Sequence, residues 1–210
     1  MDKQKRIELH ENMKWDSMKD IKLNCSKDLI STESGTLIMA RWESDMMEHH
    51  AKVVCKRGGD ILEIGFGLGI SADFIQQQNI VSHTIIEPHP QIAENARRWA
   101  GNNSSIKIIE SDWYDVIDEL NSFDGVFYDA ELDKHLYEFY PKIKSKINPK
   151  GIFTFFNPNS DGIENAHLID TEIFYKVIKV NSFPPYQTKE NQYMKDGTDK
   201  YFLPIITDFM

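Results

Sequence analysis

The sequence predicts an α/β fold, a mostly parallel twisted sheet with helices on both faces, and three observations predict it. From residue 60 onward, apolar runs of strand length alternate with amphipathic stretches. Asp60-Ile-Leu-Glu-Ile-Gly-Phe-Gly-Leu-Gly69 passes from a buried strand straight into a glycine turn, the layout of a ligand crevice at the carboxyl edge of a parallel sheet. Ser82-His-Thr-Ile-Ile-Glu87 is a second short strand that ends in a carboxylate about twenty residues further on, where such crevices grip a ribose diol.

The elements follow in order. The first forty residues are polar, with Trp15, Ile21, Leu23, Leu29 and Ile30 scattered and no sustained period. They read either as disordered or as a lid anchored by Trp15 and Met18. Arg41-Trp42-Glu43-Ser-Asp45 opens an amphipathic helix that docks through Trp42, Met46, Val53 and Val54. Past the glycine turn, Ile70, Phe74 and Ile75 mark one helix. Ile92, Ala96, Trp99 and Ala100 mark the next, which opens after Pro88-His-Pro90. Lys107 to Glu110 is a third strand and Phe123-Asp-Gly-Val-Phe-Tyr-Asp129 a fourth. Leu136, Phe139, Tyr140, Ile143 and Ile147 line a helix predicted to stop at Asn148-Pro-Lys-Gly151, and Ile152 to Phe156 is a fifth strand. Phe174 to Val180 and Tyr201 to Ile206 read as a closing hairpin.

At 210 residues the chain is expected to bury one full sheet core. A net charge of −9 argues against nucleic acid or an anionic membrane as partner. Cys25 and Cys55 have neither metal nor redox spacing, which fits a reducing, cytoplasmic home. Met1-Asp-Lys-Gln-Lys-Arg6 leads into no apolar core, so no secretory signal is expected, and no apolar run approaches membrane-spanning length. His49-His50 lacks a patterned third ligand, so no metal is expected.

The glycine turn selects among nucleotide ligands. A dinucleotide fingerprint would place its third glycine at position 70, which is Ile70. Glu63, inside the strand, is a poor neighbour for a diphosphate but suits a cationic head such as an amino group. A ligand with a ribose and an ammonium but no phosphate is S-adenosylmethionine. In an open sheet the ligand sits where strand order reverses, so the fourth strand brings Asp129 to the cofactor, and Glu43 points to the same crevice. Singly, Asp129 reads equally well as a strand-end acid or helix cap, and Glu43 as a helix-start acid. Together they would hold a planar guanidinium through its paired N–H donors.

These segments resemble the guanidinoacetate N-methyltransferase family over most of the chain. Met39-Ala-Arg-Trp-Glu43 resembles the family's Met-Glu-Arg-Trp-Glu, Leu62-Glu-Ile-Gly-Phe-Gly67 its cofactor loop and Ile85-Ile-Glu87 its ribose strand end. Trp113-Tyr-Asp-Val116 resembles the stretch beside the adenine, Phe123 to Asp129 the family's Phe-Asp-Gly-Ile-Leu-Tyr-Asp, and Tyr201-Phe-Leu-Pro204 its closing strand. The resemblance implies a Rossmann-like class I methyltransferase fold, with residues 1–40 an N-terminal lid or partly disordered segment and 41–210 the methyltransferase domain. It implies that Glu43 and Asp129 hold the guanidino group, that Glu87 binds the ribose and that Trp15 lies in the lid.

Together these readings place Glu63, Gly65, Phe66, Gly67, Leu68, Gly69, Glu87, Pro88, Asp112, Trp113 and Trp15 around S-adenosyl-L-methionine. Glu43, Asp129, Glu131, Pro158 and Asn159 are placed around the substrate. Asp129 is the expected acceptor of the guanidinium proton during methyl transfer, and Glu43 the orienting acid. Two departures bear on the substrate. The family binds the guanidinoacetate carboxylate with backbone N–H groups where this chain has Asn157-Pro158-Asn159, and proline has no N–H. The family's Tyr two places past the catalytic acid is Glu131 here, which repels a carboxylate and attracts an ammonium.

The expected substrate is thus a small guanidine, either guanidinoacetate or an arginine- or agmatine-like compound, and the protein a monomer or homodimer. A non-catalytic S-adenosylmethionine-binding module has no use for the Glu43 and Asp129 pair, and an NAD-dependent oxidoreductase is opposed by Ile70. A protein-arginine enzyme is disfavoured because such enzymes usually carry a further substrate-binding domain that 210 residues do not accommodate.

Overall fold

The structure is a computed structural model, and it describes residues 19–35, 37–130, 134–157, 169–180, 200–207 and 209. Trp15, Met18, Glu131, Pro158 and Asn159 lie outside the described residues.

The described chain opens with three short antiparallel strands, β1 (Leu23–Cys25), β2 (Leu29–Thr32) and β3 (Leu37–Ala40). The scattered apolar residues of this stretch, read above as disorder or lid, are therefore the docking points of a β-meander. Ile30 packs with Phe66, Ala72, Ile85, Ile92 and Ala96, and Leu23 and Ile38 pack against that cluster. His89 Nε2 donates to Ile21 O at 2.8 Å. Strands of three or four residues are too short for a period of two to stand out in sequence.

A single 3₁₀ turn (Arg41–Glu43) leads into α1 (Ser44–Val54). Met46, Met47, His50, Ala51 and Val54 are its buried stripe, at helical spacing, with Trp42 and Val53 partly buried beside it. Five parallel strands form the main sheet: β4 (Asp60–Ile64), β5 (Ser82–Ile86), β6 (Ile106–Ile109), β7 (Phe123–Tyr128) and β8 (Ile147–Phe155). Their order is β6-β5-β4-β7-β8. Both faces are covered, so the central strands read as largely apolar runs rather than clean alternations, with Glu63 and His83 among the buried exceptions. Leu62, Ile64, Val126 and Tyr128 face one core with α5 (Lys134–Lys144), while Ile61 and Phe127 face the other with α1. Gly125 is required at that second face, because a Cβ there would lie 2.3 Å from Val54 O.

Between the strands run α2 (Ile70–Gln76), α3 (Pro90–Ala100) and the short α4 (Trp113–Val116). Pro90 starts α3, where its fixed φ suits the first turn. The helix predicted to reach Ile147 ends at Lys144, and Ile147 instead begins β8. Asn148-Pro149-Lys150-Gly151 is an irregularity inside that strand. Phe123 pairs with Ile147 and Gly125 with Ile152, and Lys150 takes a positive φ of 68° to absorb the extra residues. The expected hairpin is present as β9 (Phe174–Lys179) and β10 (Lys200–Ile205), with Lys200 opposite Lys179. It docks antiparallel beside β8 through reciprocal 2.9 Å bonds between Phe153 and Ile206. No described helix is long and apolar enough to cross a membrane.

Candidate active site

Strand order reverses between β4 and β7, and the two strand ends meet there as the sequence suggested. Asp129 N donates to Ile64 O at 2.9 Å, and a Cβ on Gly65 would fall 2.3 Å from Asp129 O. The turn from β4 to α2 takes φ of 89° at Gly65, 53° at Gly67 and 73° at Gly69, values that side chains rarely tolerate. This bare backbone cradle is what a cofactor needs to approach the strand end.

Glu87 follows β5 directly and is 5% exposed. Its Oε2 accepts from Phe66 N at 2.9 Å and its Oε1 from His89 N at 2.8 Å. Burial pushes its pKa up, against the pull of these backbone donors and of His89. The donors fix the carboxylate while leaving each oxygen a second lone pair for a ligand hydroxyl. Met39, read only as part of a motif, takes a place at the turn: Leu68 N donates to its Sδ at 3.1 Å, and the sulfur covers Gly67.

Of the other residues assigned to the cofactor, Phe66 is buried against Trp99, and Leu68 and Pro88 are partly buried at the turn. Asp112 caps α4 by accepting from Tyr114 N at 2.9 Å. Trp113 is buried with its ring edge-on to Phe139, 5.1 Å between centroids, and its Nε1 has no hydrogen-bond partner among the described residues. Glu63 differs most from expectation. It has no exposed surface, and its Oε2 lies 3.0 Å from His83 Nε2, though not in well-aligned hydrogen-bond geometry. Its nearest titratable neighbour is thus a buried side chain of β5.

Glu43 ends the 3₁₀ turn and is 3% exposed, with Oε1 accepting from Ala40 N at 2.9 Å. Desolvation pushes its pKa up to about 7 despite that bond. Asp129 keeps some exposed surface as a residue, yet its carboxyl is desolvated. Burial raises its pKa well above the usual range, and the charges of Glu43 and then Glu63 raise it further. The structure therefore brings the two predicted acids within electrostatic reach of each other, and no salt bridge to either is found among the described residues. Pro158, Asn159 and Glu131, the remaining substrate assignments, lie outside the described residues.

Behind the pair lies a network the sequence reading did not assign. His50, fully buried on α1, contacts Thr154 Oγ1 through Nδ1 at 2.8 Å and the Tyr201 hydroxyl through Nε2 at 2.7 Å. Asn157 N donates to that hydroxyl at 2.9 Å. The available signal was a polar residue on a buried stripe, His50, and another inside an apolar strand, Thr154. His49 turns elsewhere, its Nδ1 2.7 Å from Asp45 O. Among the described residues no cluster of three or more His, Cys, Asp or Glu is placed to hold a metal ion. A groove bounded by Asp60, Ser82, Lys107 and Phe123 opens at the opposite, amino edge of the strands, away from all of these groups.

A model of the guanidinoacetate N-methyltransferase family matches residues 13–182. Protein arginine N-methyltransferase 2 of Candida glabrata is 31% identical over 180 residues, covering 79% of this chain and 42% of that protein. The protein of the same name from Eremothecium gossypii is 32% identical over 166 residues, covering 73% and 39%. The chain spans about two fifths of the length of these curated relatives. Among solved structures, the N-methyltransferase NodS from Bradyrhizobium japonicum WM9 superposes with a TM-score of 0.59 at 13% identity, over 80% of this chain and 97% of that one. NodS in complex with S-adenosyl-l-homocysteine gives 0.58 at 13%, over 80% and 88%.

Strand order, glycine turn and the acid after β5 fit the class I S-adenosylmethionine-dependent methyltransferase fold, and S-adenosyl-L-methionine is the protein's cofactor. Within that class the chain belongs to the guanidinoacetate N-methyltransferase family.

Proposed function

We propose that the protein transfers a methyl group from S-adenosyl-L-methionine to a nitrogen of a guanidino group. The observation that carries this reading is the Glu43 and Asp129 pair, two desolvated carboxyl groups beside the glycine turn that no cation among the described residues neutralises. A binding module for the cofactor alone gains nothing from the cost of burying them. A planar cation with paired N–H donors removes that cost by bonding to both.

When bound, S-adenosyl-L-methionine supplies an electrophilic methyl on a sulfonium. The turn at Gly65, Gly67 and Gly69, with Glu87 on the ribose, positions it. Asp112, Trp113, Phe66, Leu68 and Pro88 line the nucleoside end in this reading, with Trp15 contributed by the N-terminal segment and Glu63 acting through its charge. Glu43 orients the guanidinium plane. Asp129, at the strand end that meets the turn, takes the proton that leaves nitrogen as the new bond forms. Its raised pKa suits that task, because it makes this carboxylate a stronger proton acceptor than an exposed one.

The substrate in this reading is a small guanidine, and Pro158 and Glu131 favour one with a cationic or zwitterionic tail over guanidinoacetate. A second reading, the arginine side chain of a protein, is favoured by the relatives named protein arginine N-methyltransferase 2. The test is transfer of labelled methyl to a panel of guanidinoacetate, arginine, agmatine, guanidinopropionate and an arginine-containing peptide. Transfer to none of them, with the cofactor bound, overturns the guanidino reading.

A further inference from the structure

The buried network behind the acidic pair has a direction that its end groups dictate. Thr154 has one hydroxyl proton and gives it to Pro204 O at 2.6 Å, since a carbonyl only accepts. At its 2.8 Å contact with His50, the Thr154 oxygen must then accept, so Nδ1 of His50 carries the ring proton. His50 is neutral, its pKa lowered to about 3 by burial and then by His49, so Nε2 is a bare lone pair. The Tyr201 hydroxyl, 2.7 Å away, must donate to it. Asn157 N, at the other end, donates to the Tyr201 oxygen, which agrees with a tyrosine whose own proton is already committed. Stacking of His50 on Phe127, with centroids 4.6 Å apart, holds the ring in this orientation.

Tyr201 lies within electrostatic reach of the acidic pair. Phe156 N donates to Tyr128 O at 3.0 Å, which places Asn157 and its partner hydroxyl beside the strand end that carries Asp129. The charges of Asp129 and Glu43 also help raise the Tyr201 pKa, after burial. A tyrosine in that place would ordinarily donate to a carboxylate and lower its basicity.

We propose that His50 is a positioning residue for the acidic pair: by taking the Tyr201 proton it makes Tyr201 turn only its oxygen toward Glu43 and Asp129. The site then offers acceptors alone, which suits a cation rich in N–H donors and keeps the pair basic. The network is not a proton relay, because it ends in a carbonyl at Pro204 and an amide at Asn157, and neither takes up a proton. Only the identity of the cation rests on the guanidino reading above.

The test uses the full chain and has two readouts independent of turnover. Nitrogen NMR of the His50 ring reports its tautomer, and carboxyl-carbon NMR follows the titration of Glu43 and Asp129 in the parent, His50→Leu, Tyr201→Phe and the double variant. The groups facing the pair are Glu63 from β4, Tyr201 from β10 and, through Tyr201, His50 from α1. His50 is expected as the Nδ1–H tautomer. His50→Leu frees the Tyr201 proton for the carboxylates, so the pair should titrate about one pH unit lower. Removing the hydroxyl as well, in the double variant, should abolish that shift. Thr154→Val, which deprives Nδ1 of its acceptor, should reproduce the shift in part should His50→Leu fail to fold. An Nε2–H tautomer, or a shift in His50→Leu that persists without the Tyr201 hydroxyl, overturns the proposal. Inactivity on every guanidine with the tautomer as expected would instead count against the substrate reading.

Discussion

The two sides of the strand reversal are built on opposite principles. On the β5 side, the key acid has its partners before any ligand arrives: both Glu87 oxygens accept backbone N–H bonds, and the glycine turn closes onto Ile86 O. On the β7 side, Glu43 and Asp129 are desolvated, the charge of Glu43 raises the Asp129 pKa further, no cation among the described residues pairs with either, and in our proposal the network behind them adds an oxygen rather than a proton. In the proposed reading, the Glu87 carboxylate is held ready for the cofactor, while the paired acids hold electrostatic free energy that a bound cation would release. Binding energy on that second side is available for orienting and activating the substrate rather than for folding.

The largest expected effect is on the strained side. Asp129→Asn keeps the shape but removes charge and basicity, so methyl transfer to the best guanidine should fall by about 10²–10⁴-fold. Calorimetry should find S-adenosylmethionine affinity within about threefold of the parent, since a tenfold loss needs about 1.4 kcal/mol. A large loss of cofactor affinity in this variant would erase the contrast between the two sides. The reciprocal experiment is Glu87→Ala. Hydrogen bonds to charged groups are worth about 1.5–3 kcal/mol each, so cofactor affinity should drop by roughly a hundredfold, and calorimetry with unchanged affinity would remove Glu87 from the site.

A smaller effect concerns stability, and its sign is unusual for a site variant. The Glu43 pKa rises from 4.5 to about 7 on folding. A raised carboxyl lends its stability below the unfolded value and loses it as pH climbs through the folded one. Glu43→Gln retains an acceptor for Ala40 N but never ionises. It should therefore be more stable than the parent at pH 8, by about 3 kcal/mol, and show little difference at pH 4. Equal melting at both values would mean that Glu43 is not desolvated. His50 works the other way: its pKa is depressed to about 3, so its contribution is lost as pH falls from the usual histidine value toward 3.

How much of this was legible in the sequence also divides along the two sides. The glycine turn and Glu87 lie within one continuous strand-turn-helix-strand stretch, where local pattern carries the information. The Glu43 and Asp129 pairing was reached only through the rule for strand reversal and the family resemblance, because 86 positions separate the two acids. The network was out of reach for the same reason: His50 and Tyr201 are 151 positions apart and meet only once the hairpin docks beside β8. The place of Glu63 in its strand is legible locally, but which neighbour it meets depends on the β4 to β5 register, which pairs it with Ile85 and leaves His83, opposite Ile61, as its diagonal neighbour on the same face. The meander at Leu23 to Ala40 escaped because its strands are short, and the end of α5 was misplaced because an irregular strand at Asn148 to Gly151 resembles a helix stop.

The smallest expected effect tests what sort of cation the strained side selects, and it rests on sequence alone. Glu131 stands two places past Asp129, where the family pattern has Tyr, and Pro158 removes one backbone donor that the pattern uses for a substrate carboxylate. A like charge near a solvated tail costs about 1 kcal/mol at 4 Å in water, roughly a fivefold effect. Guanidinoacetate should therefore show a lower kcat/KM than agmatine or arginine. Glu131→Tyr should move the ratio toward guanidinoacetate by about fivefold, and raising the salt should shrink the difference, because an exposed charge is screened within about 8–10 Å. The same substitution should leave S-adenosylmethionine affinity unchanged, which separates a tail effect from damage to the cofactor side. A panel in which guanidinoacetate stays best, and in which Glu131→Tyr changes nothing at low salt, would show that the selectivity of the site is set by the paired acids alone.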